Sequence, residues 1–302
     1  MRNAIFLATL LGSLALAAQA SAQIAHSWVA SNGSDAANCD RPTPCASFAY
    51  AFSQLVANGV IHVVDQGAYG TLTITHGVTI DGGGIASQLD SFGDLQIASV
   101  FRVSAGAADV VTIANFTISG ENALELNEPS AIAVTSVGAL HVQHCTFVGF
   151  VTAAIDFRAT GALLDMKDVT IMDMPSGTGV YVANARALLD DVSLHHLQTG
   201  VIAAGSSTVS IRKSTANGNG AAFVAAYGPT AQLNVDDCLM TNNQWAVVVS
   251  QGAKAYVGRS SFFNNGITAL FNDGTSFAIS YGTNQFAGNA SDGTFTSGLA
   301  TK

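Results

Sequence analysis

Short runs in which apolar and polar residues alternate recur along most of the chain. One reads Val111-Thr112-Ile113-Ala114-Asn115-Phe116-Thr117-Ile118: two apolar residues at alternate positions, two residues of a break, an apolar residue, a hydroxyl and another apolar residue. The run returns at 140–147, 164–171, 187–194, 209–216, 233–240 and 255–262, with an early partial copy at Val78-Thr79-Ile80 and a weaker last one at Gly282-Thr283. The residue before the hydroxyl falls at 116, 145, 169, 192, 214, 238, 260 and 282, so after a first step of 29 the spacing is 22–24 residues. A fixed period of this size marks a repeat architecture. The longer step from Val78 to Phe116 places an insertion within 82–99.

A third apolar run follows each copy, as in Val180-Tyr181-Val182, Val201-Ile202-Ala203, Phe223-Val224-Ala225 and Val247-Val248-Val249. Period-two alternation without a helical period predicts strands. A leucine-rich repeat would need helical spacing in the second half of each unit, and none is present. The pattern predicts an all-β fold: a parallel β-helix, or β-solenoid, of about ten coils with three short strands each. The right-handed form follows the preference of parallel crossovers. Equivalent residues then stack about 4.8 Å apart.

The open ends of a solenoid need covering. Thr43-Pro44 reads as a helix start, Phe48, Phe52, Leu55 and Val56 form one apolar face, and Gly59 is a stop, which predicts a capping helix at about 44–58. The stretch at 288–302 is polar and Gly/Ser/Thr-rich, a loose cap or tail. Met1-Arg2-Asn3, an apolar run to Ala17 and the small residues to Ala22 read as a signal peptide over 1–22, leaving 23–302 as one domain. The apolar run is too short for a bilayer anchor and no later stretch is long enough to span, so a secreted or periplasmic protein is expected. In that setting Cys39 and Cys45, which flank a short Pro-rich loop, are expected to form a disulfide. Cys145 and Cys238 share an inward column four coils apart, roughly 19 Å, too far to bond, and are expected to be buried and reduced.

Hydrophobic residues make up 49% of the chain and charged residues 10%, which implies a large core. A net charge of −9 without a basic cluster argues against nucleic acid, and against an anionic polymer unless cations bridge it.

Ser31-Asn32-Gly33-Ser34-Asp35, Cys39, Pro44-Cys45, Gly67-Ala68-Tyr69-Gly70 and the segment Thr73-Ile74-Thr75-His76-Gly77-Val78-Thr79-Ile80-Asp81-Gly82 resemble the start of secreted bacterial right-handed β-helix proteins. These belong to the pectate-lyase-like superfamily, in a functionally uncharacterised branch. With the coils, the resemblance covers nearly all of the mature chain. It implies the right-handed parallel β-helix and says little of activity, because the group holds lyases, hydrolases, epimerases and others. Its lyases typically use a calcium site of acids on neighbouring coils and a basic residue that abstracts a sugar proton. Its polygalacturonase-like hydrolases use paired aspartates with Gly-His-Gly and Arg-Ile-Lys motifs. This chain has neither motif, only the pairs Asp190-Asp191 and Asp236-Asp237.

Stacking predicts that those acids belong to charge ladders. One outward column reads Gln143, Lys167, Asp190, Arg212, Asp236, and the next His144, Asp168, Asp191, Lys213, Asp237, Arg259. Opposite charges on adjacent strands are mildly favourable. Asp168 over Asp191 is the exception, and with Asp165 these acids are the candidate calcium ligands, although Ca²⁺ wants six to eight oxygens. His195, with Asp168 and Asp191, is the candidate catalytic set. Asn219, Asn243 and Asn265 align as a hydrogen-bonded stack at a turn. Tyr181, Ile202, Val224, Val248 and Leu270 form an outward apolar stripe, a candidate partner face for the tail, the insertion or a second subunit in a homo-oligomer.

Three functions follow. The first is a non-catalytic β-helix that binds a polysaccharide or cell-surface partner and needs no cofactor. The second is a polysaccharide-active enzyme of the uronic-acid lyase type, calcium-dependent or not. The third is a structural or assembly protein acting through the apolar stripe.

Overall fold

The computed structural model describes residues 23–36, 38–84, 99–120 and 130–298. The signal segment at 1–22 and nearly all of the insertion at 82–99 lie outside them.

Every strand pairing is parallel, and the strands stack in three columns. In the first, Ile61 lies beside Ile80, followed by Ile113, Val142, Met166, Leu189, Ile211, Val235 and Val257. All of these side chains point inward and are buried. In the third, Leu72, Phe101, Ile132, Ile155, Val180, Val201, Phe223, Val247 and Leu270 form nine successive rungs. The result is a parallel β-helix of about nine turns, one fewer than the spacing suggests. Its core is the stack of inward residues, because alternation sends every second side chain inside.

The corners explain the break in each repeat. At the first corner Asn115, His144, Asp168, Asp191, Lys213, Asp237, Arg259 and Thr283 all have φ between 50° and 62°. One left-handed residue turns the chain sharply enough for the next strand to begin at once. Asn and Asp tolerate this conformation best among side-chain-bearing residues. The Asp-Asp pairs are therefore a strand end followed by a corner residue. At the second corner Asp173, His196, Asn242 and Asn264 take the same conformation. Behind it the buried Asn219, Asn243 and Asn265 form the expected ladder. Asn219 Nδ2 donates to Asn243 Oδ1 at 2.9 Å, Asn243 Nδ2 to Asn265 Oδ1 at 3.2 Å and Asn265 Nδ2 to Asn289 Oδ1 at 2.8 Å.

The N-terminal cap differs from expectation. The helix is only Phe48–Ser53, and its N-cap is Ser47, whose hydroxyl accepts from Tyr50 N. Thr43 instead closes a turn on Asp40. Leu55 and Val56, expected on the helix, begin the strand Leu55–Val63, which pairs with Ile24–Val29. Phe48 enters the open end of the solenoid, with its ring 5.3 Å from Tyr69 and 5.5 Å from Phe101. The Cys39–Cys45 disulfide pins the loop before the helix, with Cα atoms 4.8 Å apart.

Two register shifts also depart from the sequence columns. One extra residue near Gly266-Ile267 sets Leu270, not Ala269, opposite Val247. Leu270 is therefore buried, and Phe271 takes its outward place. In the last coil Gln285, not Thr283, continues the column of Ser261, and Thr283 sits at the corner.

Candidate functional site

Of the residues expected to form a calcium or catalytic set, Asp168 and Asp191 share a corner on adjacent coils, whereas Asp165 and His195 lie on strands. Asp165 points out of the first strand column, where its Oδ2 is 3.1 Å from His141 Nδ1. Asp168 is at the first corner, 2.7 Å from His144 Nδ1, and Asp191 is at the same corner one coil on. Strand and corner side chains leave the coil in different directions, so the three do not converge. Among the described residues no three His, Cys, Asp or Glu side chains are grouped to hold a metal ion. His195 lies between Met172 and Asn217 on the second column, and no carboxylate is in hydrogen-bond reach among the described residues. Burial, reinforced by His196 and opposed by Asp173, holds its pKa below the usual histidine value. It is His196 that meets an acid, with Nδ1 3.1 Å from Asp173 Oδ1.

Cys145 and Cys238 are buried and unpaired with each other, as expected. Burial raises their thiol pKa values to about 11 and about 12, which makes them unreactive at neutral pH. Of the stripe, Tyr181, Ile202, Val224 and Val248 do face outward and are half-buried, and the Arg158 guanidinium lies 4.7 Å over the Tyr181 ring. Leu270 is removed from it by the register shift.

The outer face of the first column holds two neighbouring cavities. The first, of about 460 Å³, is lined by Asp165, Lys167, Leu188, Asp190, Ser210 and Arg212. Arg212 donates to Asp190 Oδ2 at 2.8 Å, while Asp190 Oδ1 is buried without a hydrogen-bond partner. An unsatisfied buried carboxylate oxygen is costly and wants a donor. The second cavity, of about 620 Å³, lies on the next coils and is lined by Asn234, Asp236, Tyr256, Arg259 and Tyr281. Arg259 pairs with Asp236. The Tyr256 and Tyr281 rings stack with centroids 5.7 Å apart and planes at 19°. Gly258, opposite Tyr281, leaves room for that ring: a Cβ there would lie 3.1 Å from Tyr281 Cβ.

The two cavities form a groove across six coils, roughly 24 Å along the solenoid axis. Its chemistry is mixed: paired charges, amide and hydroxyl groups, and an aromatic platform at one end. Tyr256 was visible in the sequence as an aromatic residue on the outward column of Asp165, Leu188, Ser210 and Asn234. Tyr281 and Arg259 acquire meaning only once the last register is known.

Residues 130–291 match the family model for the right-handed beta helix region. The chain belongs to this right-handed β-helix family. Among the curated proteins none matches the chain. Among solved structures, a complex described as XylC with xylose matches with a TM-score of 0.62 and 10% identity, over 87% of this chain and 70% of the other. A GH136 lacto-N-biosidase from Eubacterium ramulus matches with a TM-score of 0.45 and 10% identity, over 86% and 67%. At this identity the likeness to XylC shows the shared fold. For this right-handed β-helix the groove itself must therefore carry the functional argument. No helix among the described residues is long and apolar enough to cross a membrane.

Proposed function

We propose that this protein is an exported β-helix that binds a neutral polysaccharide chain along the groove of its first strand column, without requiring a cofactor. The observation that carries the reading is the stacked Tyr256–Tyr281 platform at one end of a row of carboxylate, amide and hydroxyl side chains. A sugar ring offers an apolar C–H face to an aromatic ring and hydroxyl donors to a carboxylate. Binding sites combine such apolar surface with a few placed polar groups. The cations of the groove, Lys167, Arg212 and Arg259, are balanced by Asp165, Asp190 and Asp236, and each arginine is paired with an aspartate, so they offer little net attraction to a polyuronate. That favours a neutral chain over an acidic one. The disulfide supports export.

Affinity electrophoresis through gels containing xylan, glucomannan or polygalacturonate, the last with and without Ca²⁺, tests the reading. Retardation by a neutral polymer is expected. Tyr256→Ala should weaken it about tenfold, equivalent to 1.4 kcal/mol. Failure of every neutral polymer to retard the protein, or release of an unsaturated sugar product, would overturn it. The latter outcome would establish the lyase alternative.

A further inference from the structure

A third cavity, of about 570 Å³, lies at the second corner and shares no residue with the groove. Its origin is legible in the register. Thr199, Ala221 and Trp245 are successive residues of one column, linked by the pairing of adjacent strands. The middle coil therefore runs Gly218-Asn219-Gly220-Ala221 between His196-Leu197-Gln198-Thr199 and Asn242-Asn243-Gln244-Trp245. Where its neighbours carry long side chains, the middle coil carries hydrogen or methyl. The missing side chains leave a notch between walls two coils apart, roughly 9.6 Å.

The floor of the notch is rigid. The buried Asn219 side chain accepts from Leu197 N at 2.9 Å and donates to Leu194 O at 3.1 Å and to Asn243 Oδ1 at 2.9 Å. The walls, by contrast, present solvent-exposed polar groups that a ligand can reach. The side-chain amides of Gln198 and Gln244 make no hydrogen bond to other described residues, although both line the cavity. The half-buried Trp245 closes one side. His196 overhangs the floor: a Cβ on Gly218 would lie 2.9 Å from its Cδ2 and 3.4 Å from its Nε2. In the tautomer whose Nδ1 donates to Asp173, Nε2 is left as an acceptor at the rim.

We propose that this notch is a second binding site, taking a single neutral sugar ring. The Trp245 face would pack on the ring, the two amides and Thr199 would bond its hydroxyls, and His196 Nε2 would accept from one of them. The cavity volume falls in the range of small-molecule sites. The Asp173 charge is committed to His196, and Lys and Arg are missing from the lining, so nothing in it recruits an anion. The site is independent of the groove.

The test uses the chain's two tryptophans, Trp28 and Trp245. In a Trp28→Phe background, Trp245 fluorescence is titrated with xylose, glucose, galactose and N-acetylglucosamine, and binding is checked by saturation-transfer NMR. A saturable change with at least one sugar in the millimolar range is expected. Gln198→Ala, an exposed substitution, should weaken it roughly two- to tenfold, the worth of one hydrogen bond. Trp245→Ala should abolish the NMR signal, and circular dichroism would show that the fold survives. Tyr256→Ala should leave it unchanged. No saturable response to any of the sugars, or binding that survives both Gln198→Ala and Trp245→Ala, overturns the proposal. Binding lost in Tyr256→Ala alone assigns the sugar to the groove and also overturns it.

Discussion

At the scale of single residues, this molecule is governed by what happens at its corners. Left-handed backbone is unfavourable for most side chains. Here it recurs at Lys213, Arg259, His144 and His196 because the strands on either side are fixed by their neighbours. The Asn ladder is the buried counterpart. Asn243 accepts from Asn219 N and Nδ2 and donates to Ala216 O and Asn265 Oδ1. Asn243→Ala should therefore cost about 2–4 kcal/mol, since it removes several bonds and strands the groups that made them. Its exposed neighbour Asn242, left-handed at φ 56°, should tolerate glycine with a change below about 1 kcal/mol. Urea denaturation of both variants measures the difference, and equal costs would refute the distinction. The asparagine stack could be read from the sequence because its members recur at the coil period. The His196–Asp173 pair could not, because the two residues differ in type and only the shared corner conformation brings them together.

At the scale of elements, the N-terminal coil is the least regular part. A strand, a disulfide-bridged loop, a short helix and a second strand together make one turn. Apolar spacing places Leu55 and Val56 on the helix because it cannot distinguish a helix end from the first residues of a buried strand. Pairing with Ile24–Val29 decides the matter, since Leu55 gains a strand partner in Ile24. On the outside of this coil His26 Nδ1 and His62 Nε2 are 3.1 Å apart, and Trp28 stacks on His62 at 5.1 Å. Burial lowers the pKa of His62 below 6.5, Asp81 opposes the shift and His26 adds to it. The unfolded chain therefore takes up this proton at higher pH than the folded one. Stability contributed here is present above about pH 6.5 and declines as pH falls toward the folded value. Hydrogen-exchange protection factors at residues 24–63, which are corrected for the pH dependence of the intrinsic rate, should fall between about pH 7.5 and 5.5, and His62→Gln should reduce the effect. An equal fall in the wild type and the variant would show that His62 is not the cause.

At the scale of the whole molecule, each coil contacts chiefly its neighbours, so stability approximates a sum of coil and interface contributions. The two ends are unequal. Phe48 and the disulfide cover the first coil, whereas the last leaves Phe277 50% and Tyr281 43% exposed and holds only short strands, Gln285–Ala287 and Ser297–Gly298. The middle is the reverse: Leu163–Ala183 and Arg186–Ala204 run through their corners as continuous strands. Amides at 277–298 should lose protection first and those at 163–204 last, as followed by hydrogen exchange in rising urea. A single exchange rate for all coils would contradict nearest-neighbour stability. Tyr281 belongs to the groove, so the fraying end is also the adaptable end of the proposed binding surface.

The amino-acid sequence by itself determined the coil period, the three strands per turn, the inward columns, the disulfide and the separation of Cys145 from Cys238. Each follows from alternation repeated at a constant spacing, and repetition makes a local pattern global. The tertiary structure alone decided which outward residues meet. A one-residue shift buried Leu270 and exposed Phe271, and the pairing of Val257 with Ser280 in the last coil set Tyr281 opposite Gly258. Corner geometry sent Asp165 and Asp168 in different directions and left a notch where glycines interrupt a row of long side chains. These outcomes rest on corner conformations and single insertions, which barely disturb the hydrophobic pattern but redirect every side chain beyond them.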